Sequence, residues 1–219
     1  MKGLARTLVV GDIHGCFDEL RDLLSLVGFG REDRLVCVGD LVVKGEQSRE
    51  VLDFFISDAR CRSVLGNHDR AVLRALRGED AELKQAQKKC VGELSRGRPR
   101  YAEYLGGLPL WIDLGRHIVV HAGLRPGVPL EEQAVEDLTE LRTLGPDRTS
   151  RAGLPWYEVY EGPQTVLFGH WPASPPRRGP AALGLDTGCV YGYELTGWLV
   201  EGGELVSVKA RRAYSAPKG

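Results

Sequence analysis

Apolar residues recur along this chain in two rhythms. Short β-branched runs at residues 8–10, 35–38, 63–65, 118–120 and 165–168 read as buried strands, bounded by glycine. Between the early runs the spacing turns helical. Phe17, Leu20, Leu23, Leu24 and Val27 share one helix face, which Gly28 is placed to stop. A second helix is expected over residues 48–57, with Val51, Leu52, Phe54 and Phe55 as its apolar face, and a third from near His68 to Leu76. Residues 79–105 carry the stripe Leu83, Ala86, Cys90, Val91 and Leu94, interrupted by a turn at Arg96-Gly97-Arg98-Pro99-Arg100. Beyond Leu108-Pro109 the rhythm is mostly that of strands: residues 110–114, 118–120, 165–168 and 182–185, then 193–200 and 205–209 joined across Glu201-Gly202-Gly203-Glu204 as a hairpin. Residues 174–180 read as a rigid exposed loop, and residues 213–219 as a flexible, frayed tail. No repeat or low-complexity tract interrupts this order. It predicts a single α/β domain over residues 1–212, with two packed sheets flanked by helices.

Chemistry is concentrated in five blocks that follow or lie within the strand-like runs. They are Gly11-Asp12-Ile13-His14-Gly15, Gly39-Asp40, Gly66-Asn67-His68-Asp69, His121-Ala122-Gly123 and Gly169-His170, and they hold four of the five histidines. Aspartate, asparagine and histidine are oxygen and nitrogen donors suited to a pair of divalent cations. In Asp12-Ile13-His14 the donors are two residues apart, so both project from one face of an extended backbone. Donors at the ends of several strands converge on one rim of a sheet, where α/β folds build their sites. No cysteine occupies a donor position, which argues against a closed structural zinc site. The two carboxylates Asp12 and Asp40 leave such a centre cationic against about four positive charges, a setting that suits a phosphate. His117 belongs to no block, follows Gly115-Arg116 in an expected turn, and reads as solvated.

Length and charge narrow the picture. The 219 residues suffice for one sizeable domain, and a formal net charge of −1 with 27% charged residues gives no global field toward nucleic acid or membrane. No apolar stretch approaches the roughly 18 residues of a membrane span. The start leads at once into the first strand and donor block, so a signal peptide would be cut through the site, and a cytoplasmic protein is expected. Five cysteines without CxxC spacing fit reduced, buried thiols, Cys16 among them. Lys84, Lys88, Lys89, Arg96, Arg98 and Arg100 read as a solvated face, with an electrostatic rim for a polyanion as the sharper alternative. Among the aromatics, Trp171 and Tyr191 flank motif residues and are the better placed to stack a purine.

The blocks, with GDLV, HAGL, FGHW and LDTGCVYG added, resemble the phosphoprotein-phosphatase-type metallophosphoesterases from Gly11 to about Gly192, and most of all the bacterial symmetrical diadenosine tetraphosphatases and their relatives. The resemblance implies the calcineurin-like α/β/β/α sandwich. It implies that Asp12, His14 and Asp40 hold one metal, that Asn67, His121 and His170 hold a second with Asp40 bridging, and that His68 is the general acid beside the leaving group. Manganese is the metal first expected, with iron, cobalt or zinc accepted by the same donors.

Two departures matter. Protein phosphatases of this group usually read GDxVDRG at the second block, whereas this chain reads Gly39-Asp40-Leu41-Val42-Val43-Lys44-Gly45. Val43 replaces the aspartate that orients the catalytic histidine there, and Lys44 replaces the phosphate-binding arginine, as a point charge without the bidentate fork. Residues 124–167 are also compact where longer relatives carry a helical insertion. Arg142 is the best match there for a phosphate-binding arginine, with Arg148 and Arg151 as rivals. The expected reaction is hydrolysis of a dinucleoside polyphosphate, diadenosine tetraphosphate giving two ADP, by a water activated between two cations that attacks phosphorus in line. The alternatives are a serine, threonine or tyrosine protein phosphatase acting on phosphoproteins, an enzyme acting on capped RNA ends, and a silent phosphate-binding module.

Overall fold

The computed structural model describes residues 5–80 and 82–216; the expected start at residues 1–4 and the tail beyond 216 lie outside the described residues. In chain order the elements are β1 (Thr7–Val10), α1 (Phe17–Leu26), β2 (Arg34–Cys37), α2 (Ser48–Ser57), β3 (Cys61–Ser63), α3 (Asn67–Arg77), α4 (Gln85–Leu94) and α5 (Arg98–Gly106). There follow β4 (Trp111–Asp113), β5 (His117–Val120), α6 (Val135–Glu140), β6 (Thr143–Leu144), β7 (Leu154–Pro155), β8 (Thr165–Phe168), β9 (Arg178–Gly179), β10 (Ala182–Gly184), β11 (Glu194–Leu199) and β12 (Glu204–Lys209).

Ten of these strands form two five-stranded sheets, ordered β12-β11-β1-β2-β3 and β4-β5-β8-β10-β9. Each sheet has three parallel strands, β1-β2-β3 in one and β5-β8-β10 in the other, with antiparallel strands at the flanks. Side-chain alternation explains how the sheets stack. Val9, Val36 and Val38 from the first sheet meet Val119, Leu167 and Leu183 from the second in one buried layer. Their neighbours Leu8, Val10, Leu35 and Cys37 point the other way, into a core completed by Leu20, Leu52, Phe55, Val72, Leu94 and Leu105 of helices α1 to α5. On the outer face of the second sheet, Ile118, Val120, Val166 and Phe168 are covered by Leu138, Leu141, Trp156 and Tyr157. Among the described residues that cover holds the six-residue α6, the two-stranded β6-β7 pair and short turns, so the fourth layer of the α/β/β/α sandwich is thin.

Several expectations shift. The run at 63–65 lies at the exit of its strand, because β3 pairs β2 only over Cys61–Ser63. Arg98 and Arg100 belong to α5, since Pro99 sits in a first turn that needs no N–H from it. His117 opens β5 opposite Thr165 and is half-buried, with burial lowering its basicity, so it is not the solvated turn residue expected. The tail is not free over Ala213–Ser215. Arg211 N–H and Tyr214 O–H both donate to Glu19 Oε1 at 2.9 and 2.7 Å, and Tyr214 N–H and Ser215 N–H donate to Val190 O at 2.9 and 3.1 Å. This terminal strap binds the start of α1 to the turn after β10.

Candidate active site

The six parallel strands all end at the same rim, and each delivers polar side chains just beyond its C-terminal end. Asp12 and His14 follow β1, Asp40 follows β2, Asn67 and His68 follow β3, His121 follows β5, His170 follows β8, and Asp186 follows β10. The two oxygens of Asp40 face different ways. Oδ2 is 3.5 Å from His14 Nε2, whose other near carboxylate is Asp12 Oδ2 at 3.9 Å. Oδ1 is 3.6 Å from His121 Nε2 and accepts the His68 backbone N–H at 2.9 Å. Asn67 Oδ1 stands 3.0 Å from His121 Nε2 and 3.1 Å from His170 Nδ1. Two donor groups therefore share Asp40. His68 lies beside the first group, its ring 5.1 Å from that of His14 and edge-on to it, close enough that its nitrogen, His14 and Asp40 form a possible ligand trio.

The donor set fits cations. Burial drives His14 and His170 well below the usual imidazole range and His121 down to about 4, so all three are neutral near pH 7. His14 Nδ1–H donates to Val42 O and His121 Nδ1–H to Val38 O, which leaves each Nε2 unprotonated, that of His14 accepting from Lys44 Nζ at 2.8 Å. In His121 the Nε2 lone pair faces the Asn67 amide oxygen at 3.0 Å, two acceptors with no proton between them, spaced as neighbouring ligands of one cation are. Burial also pushes Asp12 well above the carboxylate range, reinforced by Asp186 and Asp40, and pushes Asp40 and Asp186 each up to about 6. Neutral imidazoles and crowded, desolvated carboxylates are what a divalent pair would stabilise.

The backbone has been bent to achieve this. Among the described residues, the non-glycine positions with positive φ are His14, Asp40, Val43, Lys44 and His170, all within the donor blocks or the loop after Asp40. Each costs on the order of 1–2 kcal/mol, most for the β-branched Val43. Gly66 and Gly169 are needed for close approach to the donor carboxylates. A Cβ on Gly66 would lie 2.2 Å from Asp40 Oδ1, and one on Gly169 would lie 1.9 Å from Asp12 Oδ1. Asp69 ties the second and third blocks together, accepting Val42 N–H and Gly66 N–H at 3.2 Å each. Behind the His121 block, the fully buried Trp156 donates Nε1–H to Ala122 O at 3.1 Å.

A cavity of about 610 Å³ opens over these residues. Lys44 lines it, with Nζ 2.8 Å from His14 Nε2 and 5.3 Å over the Tyr191 ring. Arg142 lines it too, donating Nη1–H to Thr149 O while its buried Nε has no hydrogen-bond partner among the described residues. Of its rivals, Arg151 reaches the cavity, whereas Arg148 is paired with Asp137 at 2.8 Å. The basic cluster divides. Lys84 reaches the cavity, while Arg98 donates to Leu76 O and Arg100 pairs with Asp53. Sequence reasoning misses Asp186, although Leu185-Asp186-Thr187-Gly188 stands after a strand as the other blocks do.

The profile of the calcineurin-like phosphoesterases matches residues 5–202. The chain belongs to that family. As a calcineurin-like phosphoesterase it is a metal-dependent phosphohydrolase, and the two-sheet architecture is the family's own. It is 29% identical to the bis(5'-nucleosyl)-tetraphosphatase PrpE [asymmetrical] of Bacillus velezensis, over 96% of this chain and 95% of that protein. It is 31% identical to the symmetrical bis(5'-nucleosyl)-tetraphosphatase of Vibrio parahaemolyticus, over 87% and 93%. A solved structure described as that of "a putative diadenosine tetraphosphatase" superposes with a TM-score of 0.79 at 34% identity, covering 95% of each chain.

Proposed function

We propose that this phosphoesterase hydrolyses dinucleoside polyphosphates at a two-cation centre, splitting diadenosine tetraphosphate into two ADP. Asp12, His14 and Asp40 would hold one cation and Asn67, His121 and His170 the other, with Asp40 common to both. The division of the Asp40 carboxylate between His14 on one side and His121 on the other is the observation that carries this reading. Bound there, manganese or a similar divalent pair supplies an activated water and neutralises phosphate charge. Lys44 and Arg142 then offset charge on the non-bridging oxygens, and His68 gives its proton to the leaving oxygen. The five cysteines, all free and buried, support a reducing, cytoplasmic setting.

Val43 and Lys44 favour an anhydride over a phosphoserine ester. With valine at position 43, no carboxylate there helps keep His68 protonated for an alkoxide, which needs the proton more than a departing nucleoside diphosphate does. A cut to ATP and AMP is the second reading, favoured because the relative named asymmetrical aligns over more of this chain, 96% against 87%. The test is turnover of diadenosine tetraphosphate and of a phosphopeptide set by the metal-loaded protein, with products resolved. The expected preference for the nucleotide is at least about tenfold in kcat/KM, worth about 1.4 kcal/mol. ATP and AMP as products would move the cut. Faster turnover of phosphopeptides would make the protein a protein phosphatase, and turnover of neither with metal bound would leave a phosphate-binding module.

A further inference from the structure

The cavity, at about 610 Å³, is much larger than a phosphoryl group requires and lies in the range of pockets that enclose whole organic ligands. Its wall carries Trp171, directly after His170 in sequence and half-buried. Arg177 lies over this indole with its guanidinium carbon 4.0 Å from the ring centroid. Each guanidinium nitrogen of Arg177 donates once within the protein, which uses three of its five N–H groups. Nε donates to Trp171 O at 3.0 Å, Nη1 to Tyr157 Oη at 3.0 Å, and Nη2 to Pro172 O at 3.5 Å. Tyr157 meets the same indole edge-on at 6.1 Å. An arginine so engaged is fixed against the ring by its contacts within the protein.

We propose that Trp171, backed by Arg177, is the platform on which one nucleobase of the substrate stacks. This rests on the reading of the protein as a nucleoside polyphosphate hydrolase and deepens it by assigning the base subsite. A base has a flat face of its own and gains from a rigid aromatic surface fixed before it arrives, because little side-chain freedom is then lost on binding. A guanidinium on one face of the indole draws π-density toward itself and leaves the ring a better partner for an electron-rich purine. Tyr191 is the less suitable platform, since its ring carries the Lys44 ammonium and so belongs to the phosphate end of the cavity.

Calorimetry of the metal-loaded protein with ADP and with inorganic pyrophosphate separates base from phosphate. Wild type should bind ADP more tightly than pyrophosphate. Trp171→Ala should reduce that preference by roughly 5- to 150-fold, the range found for losing one stacked base, while Trp171→Phe should keep most of it and guards against a folding defect. A preference that survives Trp171→Ala, or is absent in wild type, overturns the platform. Turnover of diadenosine tetraphosphate by wild type is measured beside it. Turnover without a Trp171-dependent preference sinks the platform alone. A Trp171-dependent preference without turnover upholds a nucleotide platform and sinks the substrate reading.

Discussion

Gly169→Ala tests the idea that the donor cluster is packed to its limit around Asp12. The new Cβ would meet Asp12 Oδ1 at 1.9 Å and Val38 Cγ2 at 2.6 Å, where ordinary contact begins at 3.4 Å, so a displacement of about 1.5 Å is demanded. Neither neighbour can yield it cheaply. Both Asp12 oxygens lie 3.2 Å from the His170 N–H, and Val38 is fully buried between the sheets. Overpacking of this kind costs about 1–3 kcal/mol. The loss of glycine's freedom in the unfolded chain returns roughly 0.4–1 kcal/mol. The metal-free protein should therefore be destabilised by about 1–2 kcal/mol in urea unfolding. Metal binding should suffer more, because ligand distances tolerate only about 0.2 Å, and affinity for one of the two cations should fall at least roughly tenfold by titration calorimetry. Gly92→Ala provides the contrast. Gly92 lies in α4 with no neighbouring atom within 4 Å of the place its methyl would take, so the same change there should stabilise by about 1 kcal/mol through helix propensity. Equal stability changes at the two positions, or a Gly169→Ala protein with unaltered affinity for both cations, would refute the reasoning.

Three further outcomes are expected. Asp40→Asn should lower the metal content measured by elemental analysis and abolish turnover together, and a fully active variant would remove the basis for a shared carboxylate. His68→Asn should keep both cations while slowing hydrolysis by roughly 10²–10⁴-fold, less for a nitrophenyl ester; lost metal would instead make His68 a ligand, as its nearness to His14 and Asp40 allows. Hydrogen bonding from Arg6, with which it pairs at 2.6 Å, holds Asp33 down at about 2, below its unfolded value of about 3.9. A lowered carboxylate stabilises above the unfolded value and loses that contribution as pH falls toward the folded one. Asp33→Asn should thus destabilise by about 1–2 kcal/mol at pH 6, allowing for the partly exposed Arg6. The difference should fall by about half near pH 3, and a pH-independent difference in urea midpoints would contradict it.

Much of this is legible in the sequence because the relevant signals are local. A β-branched run followed by glycine and a donor locates a strand and its exit, and Ser48–Ser57 forms as its apolar spacing predicts. What is not legible depends on neighbours distant in sequence. Asp186 is placed by β10 pairing with β8, which no pattern within its own block encodes. Asp69 adjoins His68 along the chain, yet its carboxylate is turned to the N–H groups of Val42 and Gly66. The segment at residues 213–215 offers a single large apolar side chain, Tyr214, and it is held by a buried glutamate that a helix-start pattern would assign to capping. Spacing cannot separate Arg148 from Arg151, since it is Asp137 that removes one of them from the cavity.

The terminal strap carries a practical consequence for anyone handling this protein. Ser215 lines the cavity itself, and a segment joined four residues further along is separated from it by at most about 14 Å of chain. A polyhistidine purification tag on that end would bring a row of imidazoles beside a centre built from imidazoles. Such a tag can lend or steal metal and inflate a measured stoichiometry. A cleavable tag, or elemental analysis before and after its removal, separates the protein's own cations from borrowed ones.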